Sequence, residues 1–396
     1  MKKLLLASAA TLATTAAWGD AHSPVKMGII LGFTGPLESL APTMAAGAEL
    51  AIAEVNEAGT LLDGVQVEAV QGDSTCIDAA AATTAAERLV TSDGVAAIMG
   101  ADCSGVTGAI LQNVALPNGV VMVSPSATSP GLSTAEDNGL FFRTAPSDAR
   151  QGVIVTQILQ ENDISEIALT YTNNDYGKGL ADAIQANFEE AGGTVTINAA
   201  HEDGKADYSA EVGALAAAGG DVLVVAGYVD QGGSGIVRAA LDSGAFDTFY
   251  FPDGMVSQAL EDNFGSEIDG SYGANPGTDS PGAMIFQEMA TEQGFDGTQP
   301  FSAESYDAAA LIMLAMQAAG SSDPASYKET LMDVANAPGE QILPGELEKA
   351  IQILKDGGDV DYVGASAVEL IGPGESAGNY REITFTDGAL EVVGYR

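Results

Sequence analysis

Short apolar runs alternate with alanine-rich amphipathic stretches along most of the chain, and this rhythm restricts the fold more than any other feature. Residues 25–33 (VKMGIILGF) read as a buried strand, followed at 34–39 by the turn TGPLES. Residues 44–56 (MAAGAELAIAEVN) then form an amphipathic helix. The next strand, VQVEAVQGD at 65–73, leads into a helix at 79–90. VAAIMG (95–100), VVMVSP (120–125), EIALTY (166–171) and DVLVVAGY (221–228) are further strands, with more helices at 153–159, 179–190 and 209–218. Apolar strands separated by helices imply parallel sheets covered on both faces.

At 396 residues the chain exceeds the usual size of one hydrophobic core, so two lobes are expected. The first boundary falls at 141–151 (FFRTAPSDARQ), where a strand ends before a new helix. A second crossing is expected at 270–282, which is rich in turn formers. A long helix at 304–320 then returns the chain to the first lobe. YREITF (380–385) and ALEVVGY (389–395) read as an antiparallel pair joined at Asp387-Gly388. The expected lobes are 24–144 plus 276–377, and 145–275 plus 378–396. Two sheets with several crossings between them make a hinged clamshell with a cleft.

Lys2 and Lys3 precede an apolar run at 4–17 that is too short to span a bilayer. The small residues at 16–21 offer signal-peptidase sites, so residues 1–19 are expected to be a signal peptide, cleaved as late as Ala21. The mature protein is then soluble and exported. The full sequence has 55 acidic and 14 basic residues, a formal charge of -41, which repels nucleic acid and anionic lipid. Such a surface suits a salty exterior, where screening lets dense carboxylates coexist.

Only Cys76 and Cys103 are available for sulfur chemistry. In an oxidising compartment one disulfide is the natural reading, with two unpaired thiols as the alternative. The only histidines, His22 and His201, lie far apart in sequence, so no metal site or cofactor is expected. His201, in the polar segment AHEDGK, has no serine beside it to activate, and enzymatic hydrolysis is not expected. DQGGSGIV lacks the GxGxxG spacing of a dinucleotide loop.

Several segments then recur in a telling order: TGP at 34–36, GDSTC at 72–76, GADCSG at 100–105 and VSPSATSPGLS at 123–133. They continue with FFRTAPSD at 141–148, NNDYGKGL at 173–180 and AGYVDQGGSGIVRAA at 226–240. In these the chain resembles the periplasmic leucine/isoleucine/valine-binding proteins, the substrate-capturing components of ABC importers, over essentially its whole mature length. The resemblance implies an α/β fold of two Rossmann-like lobes with parallel-type sheets and a multi-strand hinge, the type I periplasmic binding fold. It also implies a Cys76–Cys103 disulfide in the first lobe and a monomer in the periplasm. No cofactor is implied. The partners are a small amino acid or related solute and an inner-membrane permease with its ATPase.

Carried onto this sequence, the family pattern places the ligand carboxylate against Ser104, Ser126 and Thr128. Short hydroxyls and amides at strand-to-helix turns form an anion pocket without a cation, and no Lys or Arg occurs between Arg88 and Arg143. The ligand ammonium is expected at Asp253, where the family more often has Glu. Tyr176 and Tyr228 are expected to clamp the ligand from the second lobe. Leu40 and Phe301 are weaker candidates for side-chain contact. Leucine, isoleucine and valine are the prototype ligands; an amide, a urea-like compound or an aromatic acid are the alternatives, as is a sensory role for the same fold.

Overall fold

The computed structural model describes residues 23–396. The expected signal peptide lies outside the described residues. The first sheet contains β1 (Val25–Leu31), β2 (Val67–Asp73), β3 (Ala97–Gly100), β4 (Val121–Ser124) and β5 (Phe141–Pro146). The second contains β6 (Glu166–Thr172), β7 (Thr194–His201), β8 (Val222–Ala226), β9 (Phe249–Phe251) and β10 (Tyr272–Pro276). A small two-stranded sheet pairs β11 (Glu340–Ile342) with β12 (Val360–Tyr362). The chain ends in β13 (Leu370–Ile371), β14 (Glu375–Ser376), β15 (Tyr380–Thr386) and β16 (Ala389–Tyr395).

The two large sheets have the same internal order. The first runs β13-β14-β5-β4-β3-β1-β2 and the second β16-β15-β10-β9-β8-β6-β7. Within each, the five consecutive strands are parallel, and the order reverses beside the first strand of the set. In open sheets of this kind, ligands bind beyond the carboxyl ends of the strands at that reversal. Both lobes turn those ends toward each other. The chain passes between the sheets after β5, after β10 and between β14 and β15.

Apolar strand faces explain the packing. β3, β4, β5 and β8 are buried along their whole length, as parallel strands covered by helices must be. The helix Ser302–Ala319 is buried on nearly all sides and runs beside the helix Ala41–Ala58 in the first lobe. Gly47 makes that approach possible, because a Cβ there would lie 2.3 Å from the Ser302 carbonyl oxygen. Each large apolar side chain buried in this layer, such as Met44 or Leu311, stabilises the fold by about 1.5–3 kcal/mol.

Cys76 and Cys103 form the disulfide, with Cα atoms 5.1 Å apart. It ties the segment after β2 to the turn after β3, immediately before Ser104. Among the described residues no helix is long and apolar enough to cross a membrane.

Candidate functional site

A narrow cavity lies where the carboxyl ends of the two sheets meet. The first lobe contributes Leu37 after β1, Asp102 and Ser104 after β3, Ser126 after β4, and Phe301 before the helix Ser302–Ala319. The second contributes Tyr176 after β6, Tyr228 after β8, and Asp253 and Gly254 after β9. Six of the sequence candidates are therefore brought together: Ser104, Ser126, Tyr176, Tyr228, Asp253 and Phe301. Thr128 and Leu40 do not line the cavity. Leu40 is buried in the first-lobe core, and Leu37, three residues earlier, forms the wall.

The first-lobe wall is pinned to its own scaffold. Ser124 Oγ donates to the Ala101 carbonyl (2.5 Å) and accepts from the Ala127 amide (2.9 Å). Ser126 Oγ donates to the Asp102 carbonyl (3.0 Å), and Ser104 Oγ accepts from the Ser129 amide (3.1 Å). Ser104 thus keeps its hydroxyl proton for another acceptor. Arg143 braces the same loop from behind: Nη1 donates to the Ala127 and Ser129 carbonyls (both 2.9 Å), and Nη2 pairs with Glu375 (2.6 Å). Its charge is therefore committed to the scaffold.

The second-lobe wall is built from ionisable groups. Asp253 Oδ1 accepts from the Tyr176 hydroxyl (2.6 Å) and from the Gly254 amide (2.8 Å). Gly254 must be glycine for this, because a Cβ there would lie 2.7 Å from the Tyr176 hydroxyl oxygen. Tyr176 and Tyr228 stack with ring centroids 5.0 Å apart. Burial raises the pKa of Asp253, while the bonds from Tyr176, Gly254 and Gln151 partly offset this. Burial also holds the Tyr176 and Tyr228 hydroxyls well above their ordinary range, so both remain neutral donors.

Two acidic residues went unremarked in the sequence. Asp102 is buried in the cavity wall, its carboxylate accepting from the Gly32 amide (2.8 Å) and the Ser74 hydroxyl (3.0 Å). Asp148 opens the helix Asp148–Glu161 at the first crossing, and its amide donates to the Thr128 carbonyl (2.8 Å). Its Oδ2 and the Thr128 hydroxyl are buried without a hydrogen-bond partner. Gln151, with its amide oriented to satisfy both ends, donates to Asp148 Oδ1 (3.1 Å) and accepts from the Asp253 amide (3.2 Å). Burial and the neighbouring Asp253 carboxyl raise the Asp148 pKa well above the usual range. An acid in the first turn of a helix ordinarily reads as a dipole partner, which is why sequence alone gave no reason to single out Asp148.

The lobes also touch beside the cavity. Asp230 of the second lobe accepts from the Ser39 amide (2.8 Å), and its own amide donates to the Pro36 carbonyl (3.2 Å). Among the described residues no group of three or more His, Cys, Asp or Glu could hold a metal ion.

The family model described as periplasmic binding protein matches residues 24–345. The chain belongs to that family. This chain is 30% identical to the Leu/Ile/Val-binding protein homolog 1 of Brucella abortus over 362 residues, 87% of this chain and 95% of that one. A leucine-binding protein of Thermotoga maritima shares the fold with a TM-score of 0.78 and 23% identity, covering 94% of this chain and 98% of that one. A solute-binding protein of R. palustris, solved with benzoate, has a TM-score of 0.74 at 16% identity, covering 94% of this chain and 96% of that one. One fold thus accommodates different solute classes, and ligand choice rests on the cavity.

Proposed function

We propose that this periplasmic binding protein captures a small L-amino acid, with leucine, isoleucine and valine as prototypes, and presents it to an inner-membrane permease with its ATPase. The observation that carries this reading is the opposition of chemistries across the cavity. Ser104 offers a neutral hydroxyl donor on one side, beside Ser126, whose own hydroxyl is held by the Asp102 carbonyl, and the Tyr176-bonded Asp253 faces them from the other. Such a pair of walls suits a zwitterion, its carboxylate toward the hydroxyls and its ammonium toward Asp253. Asp148 adds a second buried carboxyl behind Asp253 and deepens the preference for an ammonium. Leu37 and Phe301 supply apolar surface for an aliphatic side chain.

Thr128 acts in this reading through Asp148 rather than on the ligand, and Leu40 supports the turn that carries Leu37. A second reading, a small amide or urea-like solute, is favoured by one feature: Asp102 places an acceptor in the first-lobe wall. The two readings separate in a calorimetric titration of ligand-stripped protein against amino acids, amides and aromatic acids at high salt. Tight binding of an aliphatic L-amino acid, at micromolar Kd or below, supports the first. Binding of amides alone would replace it with the second, and binding of aromatic acids alone would overturn both. Export to the periplasm is tested by locating the full-length chain after fractionation of cells that express it.

A further inference from the structure

A second, small pocket lies on the other side of Phe301, against two of the three crossings between the lobes. Asn275 and Arg381, which oppose each other across the β10–β15 pairing, form its second-lobe wall. The helices Pro281–Glu292 and Ser302–Ala319 form its first-lobe wall. Two charged groups face this space without an ionic partner.

The first is Glu304, only 3% exposed and in the first turn of the helix Ser302–Ala319. Its carboxyl has no hydrogen-bond partner on another residue. One turn along the same helix, Asp307 shows what a scaffold carboxylate looks like here. It accepts from the Tyr362 hydroxyl, the Ala365 and Ser366 amides and the Ser366 hydroxyl. Glu304 has no such set. Burial pushes its carboxyl up to about 7, with Asp307 adding to the rise and Arg381 opposing it.

The second is Arg381. In a chain with 55 acidic residues, its partly buried guanidinium makes no ion pair among the described residues. It donates instead to Asn275 Oδ1 from Nε and Nη2 (3.4 and 3.3 Å) and to the Thr298 carbonyl from Nη1 (3.1 Å). Each terminal nitrogen carries a second N–H, and a guanidinium matches a carboxylate in geometry. Glu304 and Arg381 influence each other electrostatically but lie beyond ion-pair distance, so neither neutralises the other directly.

The geometry points to a second small-molecule site at the hinge, taking a zwitterion whose carboxylate meets Arg381 and whose ammonium meets Glu304. The site is independent of the ligand assigned to the main cleft. Its walls come from both lobes, so its occupant bears on the angle between them. Phe301 is shared with the main cavity and has a left-handed backbone (φ 63°), a conformation rare for a bulky residue. A molecule at the hinge therefore touches the residue that also walls the cleft.

The test uses the mature chain carrying Asp253→Ala, so that the main cleft is impaired, and equilibrium dialysis against glycine, β-alanine and 4-aminobutyrate. Acetate and ethylammonium are the single-charge controls. Binding of at least one zwitterion is expected, with the controls at least tenfold weaker. Adding Glu304→Gln or Arg381→Met is expected to weaken that binding tenfold or more. No zwitterion binding, or binding indifferent to Glu304→Gln, would overturn the proposal. Should Arg381→Met fail to fold, crystals of the unaltered chain soaked in the tightest-binding zwitterion decide. Density bridging Arg381 and Glu304 supports the site, and density confined to the main cleft overturns it. Failure of the amino-acid reading of the cleft leaves this result untouched, because Asp253 is absent from the dialysed protein.

Discussion

In the proposed reading, the two walls of the cleft meet opposite ends of one ligand by different means. The first-lobe wall is made of hydroxyls and amides already held by their own backbone, braced by Arg143 and the disulfide. Nothing in it need change charge when a carboxylate arrives. The second-lobe wall is made of buried acids and phenols whose ionisation burial opposes. A bound ammonium would relieve that opposition. Preorganised dipoles suffice for an anion, whereas a buried cation calls for a formal charge close by, so the second lobe should carry the larger share of the binding energy.

The largest test of that asymmetry is Asp253→Ala. Removing one partner of a buried, hydrogen-bonded charge pair costs about 2–5 kcal/mol, roughly 30- to several-thousand-fold in Kd. Calorimetry should show that loss for amino acids while circular dichroism stays unchanged. An unaltered Kd would remove Asp253 from the site.

Next in size is the stability held by the first-lobe scaffold. Replacing both cysteines by serine opens a loop with a sequence separation of 27 and is expected to cost roughly 3–4 kcal/mol. Hydrogen exchange should rise around Ser104 and β3 before it rises in the second sheet. Uniform loosening of both lobes would mean that the two walls are not independent.

Ser104→Ala, which removes a hydroxyl donor facing the cleft, and Ser126→Ala, which removes the brace to the Asp102 carbonyl, are expected to be milder. Each removes one neutral hydrogen bond of about 0.5–1.5 kcal/mol, hence a Kd change of around tenfold or less. If either approached the effect of Asp253→Ala, the asymmetry would be reversed.

The smallest effect concerns pH. Asp148 and Asp253 have raised pKa values in the fold, as do Glu304, at about 7, and Asp307, at about 6. Each folded carboxyl keeps a proton that the unfolded chain has already released. Their stabilising contribution is present at low pH and is lost as pH rises through the raised values. His201, whose imidazole is held down to about 4 by burial, favours the higher pH. The four carboxyls should outweigh it and make the ligand-free protein melt at a higher temperature near pH 5.5 than near pH 8. A bound ammonium should narrow the difference. A melting temperature that rises with pH in the ligand-free protein would contradict these environments.

Much of the fold was readable because parallel strands buried on both faces announce themselves as apolar runs. β7, TVTINAAH, did not: it is an edge strand whose residues are mostly half-buried, so its polar positions blur the pattern. The small β11–β12 sheet escaped for a similar reason, since Glu340, Gln341 and Asp361 interrupt its apolar positions. Within the cleft, hydroxyl and aromatic candidates were legible from motif order. Asp102 and Asp148 were not, because one acid among 55 carries no mark of burial until the topology places it. Leu40, a weaker candidate taken from the family pattern, is buried in the first-lobe core, while Leu37, which nothing in the sequence singled out, lines the cavity.

The central claim is that one zwitterion joins the two walls, and its most direct test uses three ligands that differ only in the charged groups. Ligand-stripped protein is titrated with L-leucine, with its deaminated analogue 4-methylpentanoate, and with its decarboxylated analogue 3-methylbutylamine. The account expects leucine to bind at micromolar Kd or tighter. Both analogues should be weaker by about 100-fold or more, the deaminated acid most of all because it leaves Asp253 unpaired. Equal binding of leucine and 4-methylpentanoate would contradict the account, since the second-lobe carboxylates would then have no ammonium to hold.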